Sequence, residues 1–85
     1  MELSELRESI DEIDSRLIEL FRQRMALSAQ VAQYKKAHDL PIFVPGREQE
    51  ILNKRALQAG PELAPYAKEL YETIFSLSRR YQEAR

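Results

Sequence analysis

The stretch from Leu6 to His38, LRESIDEIDSRLIELFRQRMALSAQVAQYKKAH, decides the fold. Four and three residues apart along it stand Leu6, Ile10, Ile13, Leu17, Leu20, Arg24, Leu27, Val31, Tyr34 and His38. That alternation is the seam of a long α-helix packed in coiled-coil fashion. Arg24 occupies a seam position where a leucine is expected, so its guanidinium points into the packed interior. A charge taken out of water needs a partner. For Arg24 alone, fixing the register of the packing is as good a reading as binding a ligand.

Working outward, Ser4 reads as the N-cap, with Glu5 and Glu8 in a first turn that favours negative charge. No glycine or proline follows until Pro41, so the helix is expected from Ser4 to His38. At 1.5 Å per residue that is on the order of 50 Å. A compact globule of this chain length has a radius of gyration of about 12 Å and a diameter of roughly 30 Å. The helix outgrows its own domain. Its overhanging seam must be covered by another chain, and a twofold dimer is the commonest solution.

Asp39 to Gly46 reads as a connector, punctuated by Pro41, Pro45 and Gly46. A second helix follows, with Ile51, Leu52 and Leu57 as apolar anchors and a stop at Gly60-Pro61. The third starts near Ala64-Pro65 and carries Leu70, Ile74 and Leu77, with Tyr66, Tyr71, Phe75 and Tyr81 adding bulk. With no β-alternation, the chain is expected to be all-α. A long first, a shorter second and a long third helix form one domain over residues 1–85.

Eighty-five residues lie near the lower limit for a self-sufficient core. The absence of cysteine excludes disulfides, thiolate metal ligands and thiol nucleophiles. A formal charge of -1 argues against a dedicated nucleic-acid binder. The apolar runs are too short to cross a bilayer and the N-terminus lacks a signal-peptide pattern, so a soluble, cytoplasmic protein is expected.

Arg24 and Lys35 are eleven residues apart, close to three turns, and project from nearly one face. On the third helix the stripe Leu70, Ile74 continues at the same spacing into Ser78 and Gln82, turning from apolar to hydrogen-bonding. Arg47 and Glu48 stand in the first turn of the second helix. Each has a plain reading alone. Lys35 beside Lys36 suits a surface, Ser78 and Gln82 suit solvent near a chain end, and Arg47-Glu48 an exposed pair. His38 suits a helix end. Together they describe a pocket for a polyanionic small molecule, because cations and neutral donors line inward stripes with few carboxylates. The planar fork of arginine matches a carboxylate with two parallel hydrogen bonds. No nucleophile–base pair, metal cluster or glycine-rich phosphate loop is evident, so no cofactor or metal is expected. Any reaction would depend on positioning and electrostatics.

In its ordered residues the chain resembles the all-helical (AroQ-type) chorismate mutases, which rearrange chorismate to prephenate. The likeness runs through Leu6-Arg7, Ile10, Ile13-Asp14, Leu17, Leu20 and Arg24. It continues through Val31, Lys35, Pro41-Ile42, Arg47-Glu48, Ser78 and Gln82. The resemblance implies an intertwined homodimer in which Arg7 of one chain completes the site of the other. It implies that Arg24, with Arg7 and Arg47, neutralises two substrate carboxylates, and that Ser78 helps to hold one. Lys35 would contact a carboxylate and the ether oxygen of the breaking bond, Gln82 would donate to that oxygen, and Glu48 would accept from the ring hydroxyl. Val44 stands where the family usually has aspartate. Its backbone N–H would still reach the ring hydroxyl, but valine is a poor N-cap, a loss of ~1 kcal/mol that should loosen the connector. The same fold and cationic pocket would serve an isochorismate-pyruvate lyase, and a non-catalytic regulatory domain is a third reading. The nearly complete residue set speaks against a non-catalytic domain but separates mutase from lyase poorly, since both need the same carboxylate clamps. The mutase is placed first, with chorismate as the partner and neither nucleic acid nor membrane.

Overall fold

A computed structural model describes residues 2–85. Three helices follow in order, α1 over Leu3–Ala37, α2 over Pro45–Ala59 and α3 over Ala64–Glu83, and the described residues contain no strand. The all-α expectation holds, with each boundary close to its sequence signal. The N-cap of α1 is a correction. Glu2, extended and without a side-chain cap bond, holds that place rather than Ser4. The Leu6 N–H already bonds to the Glu2 carbonyl at 3.1 Å, which puts Ser4 inside the first turn.

At the other end of α1, His38 is the C-cap, its Nδ1 lying 2.8 Å from the Tyr34 carbonyl and its ring stacked on Tyr34. Asp39 follows in the left-handed region at φ 56°. The Leu40 N–H donates to the Lys35 carbonyl at 2.8 Å and the Asp39 N–H to Lys36 at 3.4 Å. These two bonds make a Schellman motif, which usually carries glycine where Asp39 stands. The turn brings the Ile42 carbonyl beside the Lys35 ammonium, 3.0 Å from Nζ.

Val44 is the N-cap of α2, with no side-chain bond; its carbonyl accepts the Arg47 and Glu48 N–H groups at 3.1 and 3.2 Å. Gly60 ends the helix at φ 88°, a conformation that a side chain would strain. Helix α3 packs against both other helices, while the backbones of α1 and α2 stay apart. The side of α1 that meets α3 is built from small residues, with Ser28, Ala29 and Ala32 buried opposite Phe75 and Ser78, and Ala56 buried on α2.

Ser28 and Ala32 each follow a seam residue by one position, about 100° around the helix. The chain therefore packs on itself with a different face from its seam. Leu6, Ile10, Ile13, Leu17, Leu20, Leu27, Val31 and Tyr34 are all exposed. Leu57, at 84 % exposure, and Leu70 are also uncovered, so neither anchors the core of the single chain. Leu57 falls on the side of α2 away from Ile51, Leu52 and Ala56, and Leu70 lies one step off the buried line through Tyr71 and Phe75. The molecule measures 54 × 26 × 15 Å with a radius of gyration of 15.8 Å, well above the compact value of about 12 Å. Its accessible surface of 6938 Å² exceeds by about 1,700 Å² the roughly 5,200 Å² usual for a monomer of 10.0 kDa.

Candidate active site

Arg24 and Lys35 lie on the border of α1 between its small face and its uncovered seam, and both are half-buried. Arg24 is the intruder in the seam, and it has a protein partner. Its Nη1 donates to the Ser78 hydroxyl at 3.0 Å, and the guanidinium stands 5.9 Å from the centre of the Phe75 ring. Ser78 is buried, at 6 % exposure, and also accepts from the Ser28 hydroxyl at 3.4 Å. This bond fixes the guanidinium without neutralising it, so a counter-charge is still wanted.

All three helices contribute to one cavity of about 210 Å³. Arg24, Ser28 and Lys35 come from α1; Val44, Arg47, Glu48 and Ile51 from the start of α2; Phe75, Ser78, Arg79 and Gln82 from α3. Of the residues expected in the site, only Arg7 is absent from this wall. It precedes Arg24 by seventeen positions, about 25 Å along α1. Arg47 stands at the rim, exposed and 3.6 Å from Glu50, a pairing that solvent makes weak. A wider cleft of about 310 Å³ opens on the far side of Gln82, between Gln33, Lys36 and Leu40, with no comparable set of inward cations.

Four cations and one carboxylate line the cavity. The carboxylate, Glu48, is engaged: Arg79 Nη1 lies 2.5 Å from both of its oxygens. The Arg79 guanidinium also stacks 4.8 Å from the centre of the Phe43 ring. Sequence reasoning missed Arg79. The available signal was its spacing of four from Phe75, the buried aromatic of α3. Gln82 carries a second unusual feature, a side-chain oxygen that is buried without a hydrogen-bond partner. Such an orphaned acceptor costs about 1–3 kcal/mol, which a ligand or a turn of the amide would relieve. Among the described residues no group of His, Cys, Asp or Glu could hold a metal, and no helix is long and apolar enough to cross a membrane. The arrangement suits a small dianion, held by cations and offered neutral donors between them.

The family model described as chorismate mutase type II matches residues 6–83. The T-protein of Haemophilus influenzae is 42% identical over 72 residues, 85% of this chain and 19% of that protein. The bifunctional chorismate mutase/prephenate dehydratase of Aquifex aeolicus is 43% identical over 53 residues, 62% of this chain and 15% of its own length. A 4-amino-4-deoxychorismate mutase of Streptomyces venezuelae is 34% identical over 58 residues, 68% of this chain and 56% of that protein. The chain spans less than a fifth of the length of the first curated relatives it matches. No solved structure matches it. With one family pattern running through all three helices that build the cavity, the chain belongs to the chorismate mutase type II family.

Proposed function

We propose that residues 1–85 form a single chorismate mutase domain, a cytoplasmic enzyme that rearranges chorismate to prephenate on the way to phenylalanine and tyrosine. The observation that carries this reading is the convergence of Arg24, Lys35, Ser78 and Gln82 on one cavity, with Arg47 and Glu48 at its mouth. The reaction is unimolecular. As the ether C–O bond breaks, a C–C bond forms within the same molecule, so no nucleophile or general base is required. Selecting the compact chair conformer removes much of the entropic barrier. Arg24 and Arg47 take the two carboxylates, and the Ser78 hydroxyl holds both Arg24 and a carboxylate oxygen.

Lys35 has three N–H donors, and one is spent on the Ile42 carbonyl. The remaining two serve a carboxylate and the ether oxygen, where negative charge develops in the transition state. Gln82 donates to that oxygen from the other side once its amide nitrogen is turned inward. Because Lys35 and Arg24 are tethered before substrate arrives, little reorganisation accompanies the reaction. Glu48 accepts from the ring hydroxyl. The Val44 N–H, which makes no backbone hydrogen bond among the described residues, donates to it.

The active unit in this reading is an intertwined homodimer, with the seam of each α1 covered by the second copy and Arg7 delivered across the interface. The surplus surface of about 1,700 Å² per chain falls in the range that obligate dimers bury. The test is direct: the purified chain is mixed with chorismate, and chorismate loss and prephenate gain are followed together. Equal and opposite changes are expected. A folded dimer that makes no prephenate sinks the proposal, and pyruvate released from isochorismate would favour the lyase. The likeness to a 4-amino-4-deoxychorismate mutase makes that amine a second substrate for the same assay.

A further inference from the structure

We infer that Arg79, through its pair with Glu48, sets the preference of the site for a neutral hydroxyl over a cationic amine on the substrate ring. The inference rests on the mutase reading of the same cavity and adds a residue to it. Arg79 and Glu48 both line the cavity, on α3 and α2 respectively. Their side chains are only 31% and 23% exposed, and Arg79 Nη1 bridges both carboxylate oxygens at 2.5 Å. Phe43, from the connector, backs the guanidinium at 4.8 Å. Arg79 is therefore fixed from two sides, and it is not a loose surface cation.

A carboxylate offers about four acceptor positions, and the Arg79 nitrogen fills one side of each oxygen. The positions left over accept a hydrogen bond from a ligand. A hydroxyl can donate there at no electrostatic cost, because Glu48 and Arg79 together carry no net charge. An ammonium at the same place is attracted by the carboxylate and repelled by the guanidinium beside it, in a part-buried setting where screening is weak. Arg24, Lys35 and Arg47 line the same cavity and add to the repulsion. Without Arg79, Glu48 would face the cavity as an unpaired anion and reward an amine instead. Discrimination here comes from a repulsive element built beside the attractive one. Arg79 is thus a positioning and specificity residue, acting on substrate through Glu48.

The experiment compares the full chain with Arg79→Met, Arg79→Gln and Arg79→Lys, using chorismate and 4-amino-4-deoxychorismate as probes. The readout is the ratio of kcat/KM for the hydroxyl substrate to that for the amine. If the parent binds without turnover, the ratio of affinities by calorimetry replaces it. The parent should favour the hydroxyl. In both neutral variants the ratio should fall by about tenfold or more, with an absolute gain for the amine, and Arg79→Lys should restore it to within a few-fold. Far-UV circular dichroism checks folding, and the methionine variant, which keeps an apolar stem against Phe43, serves if the glutamine variant does not fold. Equal losses on both probes would reduce Arg79 to a brace and overturn the inference, as would a parent that prefers the amine. A parent that converts chorismate while the ratio stays unchanged overturns this inference alone. A folded parent that engages neither probe overturns the mutase reading and this one with it.

Discussion

Lys35 is held by the segment that follows it. Its carbonyl accepts the Leu40 N–H at 2.8 Å and its ammonium donates to the Ile42 carbonyl at 3.0 Å. A charge pinned in this way can meet developing negative charge without first rearranging. Lys35→Ala is expected to lower kcat by about 10²–10³-fold, the usual cost of one such donor. The helical signal in circular dichroism should persist, because the side chain is only half-buried and leaves no core cavity. Activity within a few-fold of the parent would remove Lys35 from the mechanism. Most of the residues gathered at the cavity were legible in the sequence because each interrupts an apolar pattern. Arg24 breaks the seam, Lys35 repeats it three turns later, and Ser78 and Gln82 end an apolar stripe. Arg79 was passed over because the stripe was followed through Leu70, Ile74, Ser78 and Gln82, while Phe75, one step round the helix, is also buried and leads four residues on to Arg79. A shift of one residue, about 100° on a helix, moves an arginine from solvent to the cavity wall. Arg7 was visible only through the family resemblance, and nothing within its own chain gives it a part in the site.

At the scale of the elements, the connector between α1 and α2 decides how well the site is held, and both of its ends carry an unfavoured residue. Asp39 adopts the left-handed conformation at φ 56° in the position that Schellman motifs give to glycine. Aspartate tolerates that region better than most side chains but still pays a steric cost. Asp39→Gly should therefore stabilise the fold by about 0.5 kcal/mol, after allowing for the freedom glycine gains in the unfolded chain. The denaturant midpoint measures it, and a fall would mean that the aspartate side chain supports the turn. At the other end Val44 caps α2 without a side-chain bond. Val44→Asp should supply one, with ~1 kcal/mol of added stability and a firmer approach of the connector to the cavity. A variant that shows no rise in the denaturant midpoint and no tighter substrate binding would refute the idea of a loosened cap. The starts of α2 and α3 and the stop of α2 could be read directly because proline and glycine mark them. At the end of α1, Pro41 marks the connector but not the left-handed residue, so the motif at Asp39 could not be foreseen, and Ser4 misled because the N-cap lies two residues earlier, at Glu2.

The 54 Å length of the molecule follows from α1, whose span was foreseeable from a proline-free run and whose seam has no partner in its own chain. What sequence could not reveal is that the intrachain contact would use the small face at Ser28, Ala29 and Ala32, leaving the large apolar residues exposed on the single chain. That division gives the border residues Arg24 and Lys35 a place where two chains would meet. Arg7 lies about 25 Å from Arg24 along the same rigid helix, too far to serve its own cavity. An antiparallel crossing of two such helices would carry each Arg7 towards the other chain's site. Mixed dimers test this. Arg7→Ala and Lys35→Ala chains should each be nearly inactive alone. A heterodimer of the two has one site lacking both side chains and one with both intact. Random mixing makes half the dimers heterodimers, so activity should return to about a quarter of the parent value. Recovery requires that Arg7 and Lys35 of one site belong to different chains, since residues of a single chain could not complement in this way. Heterodimers confirmed by mass and still inactive would exclude an Arg7 that crosses the interface, and the distance along α1 would then leave it no catalytic part.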